Sequence, residues 1–390
     1  MDRFIAVERA LRAATPDALL PSLEEGLVAH YRAADVTLLM ADYATTILQP
    51  VTALPYTKEP VPVHDSAPGR AFNWQSPHVE GAEGDGPVTV HLPVSVRGDR
   101  IGVLSLRLPD WQEGSGTARE LTEIAEVLGH EIVVGERDTD LYLQARRADR
   151  LTLAAEMQWQ LLPGRSCTRP EYDIGAQLEP AYAIYGDNFD WSTSTHDLTL
   201  TVTNGMGEGI DAALLTNLAV NALRNARRAG LSLTDQAYLA DQAVYGQHRG
   251  VQHLAVLLLR FDLATGATEI VDAGSPKMWR VRRGKAEQIE LNAQLPLGMF
   301  EDTVYTAEPF RTEPGDRLVF VSDGVYDVAS PSGERYSERA LARALTSTRL
   351  LPASQVPRAV LQELAGHRGV IDPDDDAMVV CLDWRGRPSD

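Results

Sequence analysis

The chain has 390 residues, of which 44% are hydrophobic, and a formal net charge of −19. Its length favours two domains over one, and its acidic balance argues against nucleic acid or an anionic membrane as the main partner. Cys167 and Cys381 lie far apart without metal-binding spacing, and no apolar run approaches the roughly 18 residues that span a bilayer. We therefore expect free thiols, no membrane contact and a cytoplasmic location.

Residues 1–135 are predicted to form a small α/β domain. Apolar residues recur at helical spacing over 16–31. Strands are predicted over 36–40 and 46–48, and two β-rich runs that follow, 88–96 and 101–108, are joined by a turn-forming segment.

This order of elements resembles a GAF domain. The best points of match are Pro68-Gly69-Arg70-Ala71-Phe72 and Ile101-Gly102-Val103-Leu104. GAF domains are sensor modules that bind small ligands or dimerise, so the resemblance implies a sensor role. We expect His64, His78 and His91 to lie in loops or at the surface rather than to hold a haem or a bilin. The sequence does not name a ligand.

Residues 117–162 are predicted to be helical, and the helix is predicted to stop at Pro163-Gly164. Small or apolar residues recur within it at heptad spacing, with one polar member. The members of this heptad pattern are Leu141, Ala145, Ala148, Thr152, Ala155, Trp159 and Leu162. The helix could pack on its own domain. Alternatively, residues 136–165 form a linker that pairs with a second copy, and the protein is a homodimer.

Residues 166–390 are predicted to form a second domain of antiparallel strands with a few helices. This pattern suggests two sheets with helices outside them, and the chain as a whole is predicted to be α+β. The predicted strands are 172–178, 254–262, 267–272, 278–282, 286–291, 317–322 and 377–382, and the predicted helices are 211–229, 337–346 and 354–367.

The stretch Tyr185–Gly209 is the centre of this domain. It reads as one β-hairpin, which places Asp187 and Asn204 together at a sheet end. Asp323 and the run Asp374–Asp376 are also predicted to lie at strand ends. Oxygen ligands that converge from strand ends are what hard divalent cations prefer.

The order of motifs over 153–385 resembles the PPM-type metal-dependent serine/threonine phosphatases, in the branch of the stage II sporulation protein E. The matching motifs are Gln160-Leu161-Leu162-Pro163, Glu179-Pro180-Ala181, Gly186-Asp187-Asn188-Phe189-Asp190, Asn204-Gly205-Met206-Gly207-Glu208-Gly209, Pro296-Leu297-Gly298, Pro314-Gly315-Asp316, Ser322-Asp323-Gly324-Val325 and Asp375-Asp376-Ala377-Met378. Each motif alone is weak evidence, but their common order is specific.

The resemblance implies an αββα sandwich with two Mn²⁺ or Mg²⁺ ions at one end. It implies that Asp187 and Asp323 are catalytic metal ligands, and that Asp375 and the Gly205 carbonyl complete the site together with position 204. Such a site activates a water for in-line attack on a phosphate. The implied substrate is phosphoserine or phosphothreonine on a signalling protein of the anti-sigma-factor antagonist type.

Asn204 departs from this pattern, because the family has an aspartate there that bridges both metals. An amide oxygen can bind a hard ion but lacks the second anionic oxygen needed to bridge. Asp190 and Glu208 are nearby carboxylates that could compensate. Three further departures are Ser275-Pro276-Lys277, Tyr185-Gly186 and Met378.

Two functions therefore stay open from the sequence. One is a regulatory phosphatase controlled by the sensor domain. The other is a pseudophosphatase, in which a degenerate metal site leaves a protein-binding module. A ligand-binding sensor whose output is dimer geometry alone is compatible with the second.

Overall fold

The computed structural model describes residues 2–51, 60–81, 86–109, 111–112, 114–179, 186–337, 339–369 and 375–387. The chain divides into two compact units, Met1–Arg150 and Leu151–Asp390. No helix in these described ranges is long and apolar enough to cross a membrane.

The first unit is built on a six-stranded antiparallel sheet with the strand order β3-β2-β1-β6-β5-β4. Its strands are β1 (Ala34–Ala41), β2 (Ile47–Pro50), β3 (Val61–Pro62), β4 (His78–Gly81), β5 (Val88–Val96) and β6 (Asp99–Leu108). Its helices are α1 (Arg3–Ala13), α2 (Leu19–Tyr31), α3 (Ala67–Trp74), α4 (Gly116–Gly135) and α5 (Leu141–Ala145).

The two faces of this sheet are covered by different helices. Leu38 and Met40 of β1 pack in the larger core with α1, α2 and α4. Leu39 and Ala41 pack in a smaller core with Phe72 of α3. Because successive side chains of a strand point to opposite faces, both faces are buried. The GAF-like interpretation stays a prediction.

His91 does not lie in a loop or at the surface, as the sequence had suggested. It is buried in β5, where its Nδ1 lies 2.8 Å from Ser105 Oγ and its Nε2 lies 3.4 Å from Glu80. Burial lowers the pKa of His91, although Glu80 acts in the opposite direction. Residues 90–94 of β5 are all buried, because both faces of the sheet are covered, and His91 therefore lies in the interior.

Acidification is expected to destabilise the first unit through His91. Its pKa is lower in the folded state than in the unfolded chain, where it is about 6.5. The unfolded state therefore binds more protons below that pH, and stability falls as the pH drops. Calorimetric melts at pH 7.5 and 5.5 should show a smaller acid-induced loss for His91→Gln than for the wild type. An identical loss in both proteins would contradict this.

The predicted helix over 117–162 is wrong as a continuous element. After α4, the chain forms the short α5 and then residues without helix before α6 (Leu153–Leu161) begins. Thr152 caps α6 by accepting from the Ala155 backbone N–H. The members of the heptad pattern are thus divided between the two units, and Ala145 belongs to the core of the first. A homodimer stays a prediction, without a continuous helix to support it.

The second unit contains two antiparallel sheets with helices packed on each. Its strands are β7 (Ser166–Thr168), β8 (Tyr172–Glu179), β9 (Asn188–Thr193), β10 (Asp197–Gly205), β11 (Leu254–Asp262), β12 (Ala267–Ala273), β13 (Lys277–Arg282), β14 (Lys285–Ile289), β15 (Glu308–Arg311), β16 (Arg317–Val321) and β17 (Ala377–Trp384). Its helices after α6 are α7 (Gly209–Arg228), α8 (Leu233–His248), α9 (Asp323–Tyr326), α10 (Ala340–Ser347) and α11 (Val356–Arg368).

These layers confirm the predicted sandwich. The five-stranded sheet has the order β15-β12-β11-β10-β9, and α7 and α8 pack on it. The six-stranded sheet has the order β14-β13-β16-β17-β8-β7, and α10 and α11 pack on it. The sheets meet where Phe261 stacks on Trp384, with ring centroids 5.7 Å apart. Helix α8 was not predicted from the sequence.

Candidate metal centre

The β9–β10 hairpin forms as predicted and brings its two motif ends together. Thr203 pairs with Asn188, so Asp187 and Asn204 lie at the same end of the sheet. Gly186 has a φ of +115°, and a Cβ there would lie 2.9 Å from Gly205 Cα. Glycine is therefore required for this close approach. Tyr185 and the Pro180-Ala181 turn lie outside the described residues.

Asp187 is a deeply buried carboxylate, with 2% of its surface exposed. Its Oδ2 has no hydrogen-bond partner. Burial and the neighbouring charge of Asp376 raise its pKa well above the usual value, and Ser322 opposes this by hydrogen bonding. A buried carboxylate oxygen without a donor is costly unless the carboxyl group is protonated or a cation balances its charge.

Asp323 follows β16 and is held by neutral donors. The Asn204 side-chain amide donates to its Oδ1, as does the Gly324 N–H at 3.0 Å. The Ser275 hydroxyl lies 3.3 Å from its Oδ2. Two of the family departures, at 204 and 275, thus contact the same carboxylate. The hydrogen bond from Asn204 occupies an oxygen that the resemblance assigns to metal binding.

Two more carboxylates lie immediately before β17. Asp375 borders the cavity described below, and its role as a metal ligand stays a prediction. Asp376 was not among the predicted ligands. It is buried, and its Oδ2 accepts from the backbone N–H groups of Gly186 and Asp187 at 3.0 and 3.2 Å. Asp376 therefore fixes the position of Asp187. Asp374 of the acidic run lies outside the described ranges.

A cavity of 620 Å³ opens at this end of the sandwich. It is lined by Asn204, Gly205, Met206, Gly207, Glu208, His253, Ala255, Ser275, Pro296, Asp323 and Asp375. His253 and Pro296 had not been assigned to the site from the sequence, because neither lies next to a predicted acidic turn.

The two proposed compensating carboxylates differ in their surroundings. Glu208 lines the cavity and is exposed. Asp190 is buried, and its oxygens accept from Arg224 at 2.8 Å and from Arg227 at 3.0 Å. Because two guanidinium groups already balance its charge, we do not include Asp190 among the candidate ligands.

Helix α6 contacts this centre directly, which the sequence did not indicate. The buried Gln158 side chain donates to the Asp187 backbone carbonyl. Arg224 also donates to the Leu161 carbonyl, at 2.6 Å, while holding Asp190. Helix α6 is thereby connected to strand β9 at two points. Gln158 contacts Asp187, just before the strand, and Arg224 links Leu161 to Asp190 within it.

The side chains fit a hard divalent cation in part. Asp187 Oδ2 lacks a donor, and the charges of Asp376, Asp323 and Asp375 all raise its pKa. A cation would relieve this repulsion. As the side chains stand, however, no three His, Cys, Asp or Glu groups within the described ranges are arranged to hold an ion. The Asn204 amide also opposes an ion shared with Asp323.

Comparisons with known proteins agree with this architecture. Residues 194–385 match the family model described as stage II sporulation protein E. IcfG of Synechocystis sp. is 21% identical over 330 residues, which cover 76% of this chain and 48% of IcfG. The phosphoserine phosphatase RsbU of Bacillus subtilis is 21% identical over 211 residues, which cover 54% of this chain and 63% of RsbU. The chain thus spans about half to two-thirds of these curated relatives.

Solved structures share the fold of the second unit. The RsbU and RsbW domains of Rv1364c from Mycobacterium tuberculosis are 22% identical with a TM-score of 0.50, over 56% of this chain and 62% of that one. The SiaA PP2C domain of Pseudomonas aeruginosa is 20% identical with a TM-score of 0.50, over 60% of this chain and 94% of that one. Asn204, Gly205, Asp323 and Asp375 all lie within the matched family model, and Asp187 precedes it. Residues 194–385 are therefore a SpoIIE-type domain, and the second unit has the fold of PP2C-type phosphatase domains.

Proposed function

We propose that this chain is a regulatory protein serine/threonine phosphatase that depends on Mn²⁺ or Mg²⁺. The observation that supports it most is that Asp323 and Asp375 line the cavity and raise the pKa of the buried Asp187, whose Oδ2 has no hydrogen-bond partner. PP2C-type phosphatases are metal-dependent as a family. Asp187, Asp375 and the Gly205 carbonyl would hold the ion, with Asp323 beside them. A bound ion would supply an activated water.

The residues of this chain would have distinct roles in that reaction. Asp376 and Gln158 hold Asp187 in place through its backbone. Position 205 requires glycine, because a Cβ there would lie 2.6 Å from the Gly186 carbonyl oxygen. The absence of a side chain would leave the Gly205 backbone carbonyl accessible to an ion. The cavity admits a phosphorylated side chain from outside. A cavity that is open to solvent is compatible with a protein substrate.

The proposed substrate is phosphoserine or phosphothreonine on a signalling protein of the anti-sigma-factor antagonist type. This rests on the motif resemblance and on the relative RsbU, which is a phosphoserine phosphatase. The first unit would act as the sensor that controls the activity.

Hydrolysis of a phosphoserine peptide with millimolar Mn²⁺ or Mg²⁺ is the direct test. Turnover should disappear in excess EDTA and in the Asp323→Asn variant. A purified chain that releases no phosphate with either metal would reject the enzyme proposal.

A pseudophosphatase is the second candidate, and one observation favours it. The Asn204 amide donates a hydrogen bond to Asp323, so this pair is stable without an ion between the two side chains. In that case the cavity and its rim would bind a partner without hydrolysing it. Calorimetric titration with Mn²⁺ separates the candidates, because a pseudophosphatase of this kind binds the ion weakly or not at all.

A further inference from the structure

His253 lies at the cavity on the same side as the candidate metal ligands. It immediately precedes β11, and Ala255 of β11 is paired with Asn204 of β10. Residues directly opposite each other in neighbouring strands share a face, so Ala255 and Asn204 project to the same side of the sheet. All three line the 620 Å³ cavity.

The imidazole of His253 has no structural hydrogen bond. Its Nδ1 is buried without a partner. No side-chain hydrogen bond or ion pair involves the ring within the described part of the chain. A buried ring nitrogen left unsatisfied costs about 1–3 kcal/mol. Hydrogen bonding that holds the fold together therefore does not account for a histidine here.

The charges of the side chains that line the cavity determine how His253 would interact with a phosphate there. Glu208, Asp323 and Asp375 are the acidic side chains that line it. No lysine or arginine is among the described lining residues, and His253 is the one histidine among them. An entering phosphate carries negative charge, and imidazole donates hydrogen bonds and protons near neutral pH.

We propose that His253 is a catalytic residue that donates a proton to the leaving oxygen of the phosphoester. This inference rests on the proposed phosphatase function. Water forms the new bond to phosphorus and releases one proton to solvent, while the bond from phosphorus to the serine oxygen breaks. The His253 proton passes to that oxygen, which leaves as the serine hydroxyl, and the imidazole regains a proton from solvent. Asn204, Ser275 and Met206, which line the same cavity, offer no comparable proton.

Leaving-group dependence tests this role. An alkoxide needs a proton to depart, whereas p-nitrophenolate departs readily without one. His253→Leu is expected to lower kcat on a phosphoserine peptide by about 10²-fold and to change kcat on p-nitrophenyl phosphate far less. His253→Gln keeps an N–H donor but no transferable proton. It should therefore retain the KM of the wild type and lose kcat on the peptide.

His196→Leu is the matched control. His196 lies in the turn between β9 and β10, at the end of β10 that is far from Asn204. It should behave as the wild type on both substrates. Equal losses on both substrates in the His253 variants, or no loss on the peptide, would overturn the role of His253 alone. No turnover of either substrate by the wild type with Mn²⁺ would overturn the phosphatase proposal and this inference together.

Discussion

The Asn204→Asp variant is expected to be less stable than the wild type without metal and to bind Mn²⁺ more tightly. The substitution removes the amide hydrogen bond to Asp323 and places a second carboxylate against it. We expect a loss of about 1–3 kcal/mol in the free energy of unfolding in EDTA. With Mn²⁺ the added anionic oxygen becomes a ligand, and affinity should rise at least about tenfold, or 1.4 kcal/mol. Thermal melts and calorimetric titration measure the two effects.

Asn204→Ala is the control for this substitution. It removes the same hydrogen-bond donor without adding charge, so it should lose stability in EDTA and gain no affinity for Mn²⁺. If Asn204→Asp binds Mn²⁺ no better than the wild type, position 204 does not contribute to a metal site. Turnover that appears only in Asn204→Asp would favour the pseudophosphatase reading of the natural chain.

The sequence predicted the β9–β10 hairpin and its site because the evidence for them is local. Alternating apolar residues and turn-forming residues define the hairpin, and the register then places Asp187 and Asn204 at one end. The contact between Asn204 and Asp323 spans 119 positions. A motif order can place two side chains at one site, but it does not show which donor faces which acceptor.

Tertiary packing explains the elements that were missed. Helix α8 has an apolar face of mostly small residues, Leu233, Ala237, Ala240 and Val244, which gives a weak helical pattern but packs closely in the core. The heptad pattern led to the opposite error, because it predicted a continuous helix that the structure does not contain. Its residues are spaced as in one helix, but the segment from Arg146 to Thr152 is not helical. The first unit ends and the second begins within this segment. His253 belongs to none of the sequence motifs that predicted the site, so it was missed.

Asp187→Asn is expected to raise stability without metal and to abolish the effect of metal. Burial and the neighbouring Asp376 raise the pKa of Asp187, so its ionised form destabilises the fold. Asparagine resembles the neutral form, and its amide can donate to a neighbouring carboxylate. In EDTA at pH 7 the variant should melt several degrees higher, since about 1 kcal/mol shifts Tm by a few degrees in a domain of this size.

The pH dependence of that gain follows from the same shift. A folded-state pKa above the unfolded value of about 3.9 means that the wild type becomes more stable as the pH falls towards that value. The advantage of Asp187→Asn should therefore shrink on acidification. Melts of both proteins in EDTA between pH 7 and pH 4.5 would show it. An advantage that stays constant or grows over this range would contradict a raised pKa.

Asp190→Asn is the matched comparison, because the same substitution three positions away should have the opposite sign. The Asp190 carboxylate accepts from Arg224 and Arg227, and all three side chains are largely buried. Removing its charge leaves two guanidinium groups without their anion, which costs about 3 kcal/mol. The charge of Asp190 is balanced by the protein itself, whereas that of Asp187 is not. If both variants were destabilised equally in EDTA, Asp187 would be another structural aspartate and the case for a cation beside it would fail.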